Sequence, residues 1–278
     1  LKLTVDADIQ FLIREELIKF QSVFSSKGSS VILMNVDNGE VISMISYPDF
    51  DLNKRQKIDD KNYINRATKG VYELGSVFKT FTIAAGLDAE LIEPETKFLN
   101  LEKKLDCGKS TITEYDNKIL SDLTAEEILI KSGNIGSVRI GQMLEIKGLK
   151  SFLEKMDILN KIDFDIEEVG EPIPFKWGKC KLATASFGHG ITTTPLQLAK
   201  AYAIISNGGF EINPSLIKDK SNSNKKRLIK KKTSEAINLI LRKIVVEGTA
   251  KLANVNGYEV GGKTGTANKT TKGGYSKK

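Results

Sequence analysis

Histidine occurs once in the 278 residues, at His189. A serine triad needs an imidazole base oriented by a carboxylate. His189 is flanked by Gly188 and Gly190 with no acidic residue near it in sequence, so it reads as a structural or substrate-flanking residue rather than a general base. Cysteine occurs twice, at Cys107 and Cys180. The two fit no metal-ligand spacing and define no disulfide framework, so two free thiols are expected. No apolar run approaches the ~20 residues that span a bilayer, and no signal peptide opens the chain. No internal repeat is present. No aromatic residue interleaves with the lysines of Lys225-Lys226-Arg227 and Lys230-Lys231-Lys232, which removes the stacking surfaces of a nucleic-acid site. That cluster reads as a solvated loop.

What remains is an ordinary globular composition, 40% hydrophobic and 28% charged, able to bury a core in one large domain or two modest ones. The net charge of +7 sits largely in the lysine clusters and the final Lys277-Lys278. Because the chain opens on Leu1, close to a helix, it is expected to be an excised piece of a longer protein.

Apolar residues Ile9, Leu12, Ile13, Leu17, Phe20 and Phe24 recur at helical spacing behind Asp6, an N-cap, and predict a helix over Asp6 to Phe24. Asp37-Asn38-Gly39 between the apolar runs Val31 to Val36 and Val41 to Ile45 predicts a β-hairpin. Val77 to Leu87 is an apolar helical stretch with Ser76 in its first turn. Glu93 to Leu123 loses periodicity, as a surface excursion does. Thr124-x-x-Glu127 is a capping box, and the short helix it opens ends at Ser132-Gly133-Asn134. Further helices are predicted over Ile135 to Glu145, Leu149 to Met156, from Thr194-Pro195 to the stop at Gly208-Gly209, and over Thr233 to Val246. Tyr258 to Ala267, rich in Gly and Thr, is predicted to be a strand that approaches a ligand.

Three short motifs carry chemistry: Ser76-Val-Phe-Lys79, Ser132-Gly-Asn134 and Lys263-Thr264-Gly265. Ser-x-x-Lys alone is weak, since it recurs at Ser215 to Lys218 and Ser223 to Lys226, but the other two are unique in the chain. Residues three apart on a helix share a face, so Lys79 reaches the Ser76 hydroxyl, and a lysine that is desolvated or near a second cation such as Lys263 loses its proton readily. A neutral Lys79 can then act as base while Ser76 attacks a carbonyl. Ser132 is placed to relay a proton to a leaving nitrogen, and the Asn134 amide suits a peptide backbone. Lys263, Thr264 and Thr266 suit a carboxylate, and Gly265 removes a side chain where a ligand would lie. The backbone N–H groups of Ser76 and Thr266 suit an oxyanion hole. No metal or other cofactor is required.

At these residues the chain resembles the transpeptidase domain of class B penicillin-binding proteins, most of all the division-specific septal enzymes. The likeness extends to Leu3-Thr4-Val5-Asp6, Tyr47-Pro48-Asp49-Phe50-Asp51, Asn65-Arg66-Ala67-Thr68, Val71 to Lys79, Phe187-Gly188-His189-Gly190 and Thr194-Pro195-Leu196-Gln197-Leu198. It implies an α/β (α+β) fold, an antiparallel sheet flanked by helices beside an all-helical region, with the site in the cleft between them. A single transpeptidase domain over 1–278 is expected, with a helical subregion near 88–210 inserted between sheet-forming ends 1–60 and 211–278. The resemblance also implies a β-lactam-sensitive D,D-transpeptidase that acylates Ser76 with the D-Ala-D-Ala end of a peptidoglycan stem peptide and cross-links it to a neighbouring stem. Lys79 would be the base, Ser132 and Asn134 the second element, and Lys263, Thr264, Gly265 and Thr266 the carboxylate-binding strand.

The implied location is the outer face of the bacterial cytoplasmic membrane, through an N-terminal anchor expected to lie in the parent protein outside this piece. Division proteins, including a glycosyltransferase, would bind through other parts of the parent protein. Family members continue past Lys-Thr-Gly with further strands, so the Lys263 strand is expected to be an edge and acylation by this piece to be impaired. Two alternatives stay open: a β-lactamase or D,D-carboxypeptidase with water as acceptor, and a catalytically inert binding module.

Overall fold

The computed structural model describes residues 1–51, 53–54, 60–108, 110–220, 226–268, 270–271 and 274–275. Ser223, Lys225, Lys277 and Lys278 of the motifs and basic clusters above lie outside the described residues. In chain order the elements are α1 (Ala7–Phe24), β1 (Ser29–Met34), β2 (Val41–Tyr47), α2 (Asp60–Tyr63), α3 (Lys79–Asp88), β3 (Lys97–Phe98), β4 (Lys104–Cys107), β5 (Ser110–Thr113), β6 (Leu123–Thr124), α4 (Ala125–Ile130), α5 (Asn134–Lys155), α6 (Lys179–Ala185), α7 (Pro195–Ser206), α8 (Lys231–Val246), β7 (Thr270–Thr271) and β8 (Gly274–Tyr275). The fold is mixed, helices with antiparallel strand pairs, and the chain divides into two compact units.

The first unit comprises Leu1–Tyr72, Met156–Ile173 and Thr192–Leu228. Helix α1 starts where expected, because the Asp6 carboxylate accepts from the N–H groups of Asp8 and Ile9, each at 3.0 Å. It lies along β2 through Gln10, which donates to Met44 O and accepts from the Ser43 hydroxyl. None of its residues is buried, and Leu12, Phe20 and Phe24 are exposed. The β1–β2 hairpin turns through 35–40, with the Asn35 side chain accepting from Asp37 N and with Gly39 at φ +76°. Val41, Ile162, Val169 and Leu196 form the unit's buried cluster, with Ile32, Met44 and Phe164 against it. Helix α7 has Thr194 as N-cap and proline in its first turn, as the sequence predicts, and Gln197 completes a capping box.

The second unit comprises Glu73–Lys155, Pro174–Ile191 and Ile229–Lys278. At its centre α3 packs against α5 and α8. Every residue from Lys79 to Leu87 is buried, and Lys79 is the one charge among them. The Thr124 capping box opens α4, while α5 is broken at Glu145 (φ 58°, ψ 176°), between the two helices the sequence predicts there. The 93–123 stretch is more ordered than expected, since it holds the β3–β6 pair and the β4–β5 hairpin.

Two expectations fail. Cys107 and Cys180 are not free thiols but a disulfide, with Cα atoms 5.3 Å apart. The hairpin brings the end of β4 to the start of α6, a tertiary juxtaposition that no local spacing encodes. Tyr258 to Ala267 forms no strand among the described residues. A strand needs a hydrogen-bonded neighbour, and this segment is instead tied to α8, with Gly262 N donating to Leu241 O and Arg242 donating to Val260 O. Among the described residues no helix is long and apolar enough to cross a membrane.

Candidate active site

All of the site residues read from the sequence fall in the second unit. Ser76 stands on a 3₁₀ turn, Gly75–Phe78, that runs directly into α3. Two close backbone approaches hold this turn. Gly75 has φ +63°, and a Cβ there would sit 2.1 Å from Thr266 O; Gly188 has φ +90°, and its Cβ would sit 1.9 Å from Gly75 O. Only glycine allows such approaches, so the Ser76 turn is pressed between the 264–266 segment and the 187–190 turn.

Lys79 opens α3 with no solvent exposure. Its Nζ donates to Ser132 O and, at 3.1 Å, to Ser132 Oγ. Lys263 Nζ meets the same Oγ at 2.9 Å, so one hydroxyl links two lysines. Ser132 itself has φ +59°, a left-handed backbone that a non-glycine residue adopts at some cost. Burial, then the nearby Lys263 charge, push Lys79 well below the ordinary lysine range, with Glu114 opposing. Burial also lowers Lys263, to about 8. His189 is lowered as well, by burial first and by the Lys79 charge, with Glu73 opposing; its ring packs on Phe187 with centroids 4.7 Å apart.

Ser76, Ser132, Asn134, Thr264 and Thr266 line one cavity of about 690 Å³, together with His189. Lys79 and Lys263 each reach Ser132 Oγ, which is part of that lining. Gly265 plays a different part from the one expected. A Cβ there would meet Leu74 O at 2.5 Å and Val77 Cγ1 at 2.8 Å, so glycine clears room for the Ser76 turn. Thr264 Oγ1 is 3.1 Å from Thr249 Oγ1.

Sequence reasoning missed the β5 end of the hairpin. Thr113 O accepts from Asn134 Nδ2 at 2.7 Å, and the Glu114 carboxylate accepts from the N–H groups of Asn134 and Ile135 at 2.6 and 2.9 Å. No local pattern marks these residues, which lie about twenty positions before the loop they hold. Among the described residues no group of three or more His, Cys, Asp or Glu side chains is placed to hold a metal ion.

Residues 29–278 match the family model described as the penicillin binding protein transpeptidase domain. A probable peptidoglycan D,D-transpeptidase FtsI of Caulobacter vibrioides is 33% identical over 275 residues, which cover 96% of this chain and 46% of that protein. Stage V sporulation protein D of Bacillus subtilis is 32% identical over 299 residues, covering 99% of this chain and 45% of that protein. The chain therefore spans less than half the length of these two relatives. The apo TP domain of penicillin-binding protein 3 from Burkholderia pseudomallei superposes with a TM-score of 0.87 at 26% identity, over 99% of this chain and 80% of that one.

Proposed function

Because the chain belongs to the penicillin-binding protein transpeptidase domain family, we propose that it carries the acylation centre of a peptidoglycan D,D-transpeptidase, a serine enzyme that penicillin modifies covalently. The observation that carries this reading is the single hydroxyl, Ser132 Oγ, held between Lys79 and Lys263 at 3.1 and 2.9 Å on the wall of the cavity that Ser76 also lines.

A neutral lysine amine has two hydrogens and one lone pair. Both hydrogens are spent on Ser132, which leaves the lone pair to accept the Ser76 proton. Ser76 Oγ then bonds to the carbonyl carbon of the penultimate D-Ala, with the oxyanion received by the N–H groups of Ser76 and Thr266. As the C–N bond breaks, Lys79 returns the proton through Ser132 to the leaving amine, and terminal D-Ala departs. The amine of a neighbouring stem next attacks the ester, and Ser76 regains its hydrogen. Lys263, Thr264 and Thr266 hold the substrate carboxylate, and Asn134 its backbone. Penicillin follows the first half of this path, but its leaving nitrogen stays tethered, so the ester persists.

A class A β-lactamase uses a carboxylate to activate the water that hydrolyses its ester. Glu114 reaches the cavity, yet its two oxygens are engaged by the start of α5, which favours transfer to an amine. The relatives' names point to peptidoglycan as substrate, and the FtsI likeness to septal synthesis outside the cytoplasmic membrane.

Incubation with benzylpenicillin, followed by intact-mass spectrometry and peptide mapping, should show one adduct per chain, on the peptide that contains Ser76. An unmodified chain, or an adduct elsewhere, would refute the reading. The pH dependence should be bell-shaped. Acylation climbs as Lys79 loses its proton, then falls above about pH 8 as Lys263, lowered to about 8, becomes neutral and no longer attracts a carboxylate. Rate constants for a fluorescent penicillin that stay level above pH 8 would remove Lys263 from carboxylate binding.

A further inference from the structure

We propose that Glu114 is a positioning residue of this site, whose carboxylate fixes the start of α5 and thereby sets where Ser132 and Asn134 stand. The inference rests on the functional reading above and adds to it a group outside the three motifs. Helix α5 begins at Asn134, one residue after Gly133, which has no side chain with which to cap it. The orphan N–H groups at such a start need acceptors, and a negative charge there is favourable. Glu114 supplies both, with one oxygen for Asn134 N and the other for Ile135 N.

Its neighbours act on the same loop. Thr113 O receives the Asn134 amide at 2.7 Å, and Tyr115 donates its hydroxyl hydrogen to Lys131 O at 3.1 Å. Three consecutive residues of one hairpin arm thus grip 131–135, the loop in which Ser132 holds its left-handed backbone. The charges that act on Lys79 come from different segments, Lys263 from the stretch after α8 and Glu114 from the hairpin, while Lys79 in turn acts on His189 from the turn after α6. Of these, only Glu114 favours the protonated amine.

Two variants separate the roles. Glu114→Gln keeps the shape but removes the charge and turns an amide N–H toward a backbone N–H. Glu114→Asp keeps the charge but shortens the reach. In Glu114→Gln the plateau rate of acylation by penicillin should fall about tenfold, since a small misplacement of reacting groups is costly. The acid limb of the pH profile should move to lower pH, because the anion that favours protonated Lys79 is gone. In Glu114→Asp the plateau should fall while the limb stays. A residue with a merely structural role would lower the plateau in both variants and move the limb in neither.

Hydrogen exchange at the amides of Asn134 and Ile135, measured on the folded unliganded protein, should quicken in Glu114→Gln. This readout needs no catalysis. Wild-type amide protection in Glu114→Gln, or an unmoved acid limb, overturns the proposal. If the unsubstituted protein forms no Ser76 adduct, the functional reading falls and this positioning role falls with it, while the exchange data still show whether the carboxylate caps α5.

Discussion

Ser76→Ala should abolish the covalent penicillin adduct, and Lys79→Met should slow its formation by about 10²–10⁴-fold, the range that general-base catalysis supplies. The first effect is total because the ester oxygen itself is removed. The second is large because Lys79 is the one buried amine of α3 and shares Ser132 with Lys263. Neither change should unfold the protein. Ser76 is half-buried on a turn, and Lys79→Met puts an apolar chain of similar volume in place of a desolvated amine, leaving Ser132 O without that donor at a cost of about 1–3 kcal/mol, within the ~5–15 kcal/mol that a domain has. Intact-mass time courses alongside thermal melting give both numbers. Normal acylation by Lys79→Met would eliminate it as the base. A collapsed thermal transition would make it a structural post instead.

Gly188→Ala should be severe although no reacting atom is changed. The left-handed backbone costs an alanine about 1–2 kcal/mol, and forcing a methyl group to within 1.9 Å of Gly75 O adds about 1–3 kcal/mol of overpacking. A total of roughly 2–5 kcal/mol is a large share of the ~5–15 kcal/mol that a domain has, and should lower the melting temperature by roughly 5–20 °C. Whatever relief the chain finds must displace Gly75, hence Ser76 beside it, so acylation should drop more than about tenfold even where the variant is still folded. Wild-type melting and acylation together would show that the turn yields freely.

The sequence was most legible where one residue type answers a local need. Asp6, Thr124 and Thr194 mark helix starts because their oxygens satisfy N–H groups that the helix leaves open, and all three cap as read. Ser76, Ser132 and Asn134, read from motif spacing, do line one cavity with Thr264 and Thr266. What escaped depends on partners distant in the chain. A strand over 258–267 has no meaning without a neighbour to pair with, and here α8 takes its polar groups. Glu114 looks like any charged residue of an irregular stretch until the fold sets it against α5. The purpose of Gly265 was read as ligand access, when the close neighbour is the protein's own Leu74.

The Cys107–Cys180 bond closes a ring 73 residues around, which in the chain-entropy account is worth about 4 kcal/mol against the unfolded chain. Such a crosslink persists where the surroundings are oxidising and is rare where glutathione prevails, which fits a protein that matures outside the cytoplasm. It also ties the Glu114 arm to α6, whose Thr184 lines the same cavity, so dithiothreitol left in a purification buffer would untether one wall of the site before any assay began.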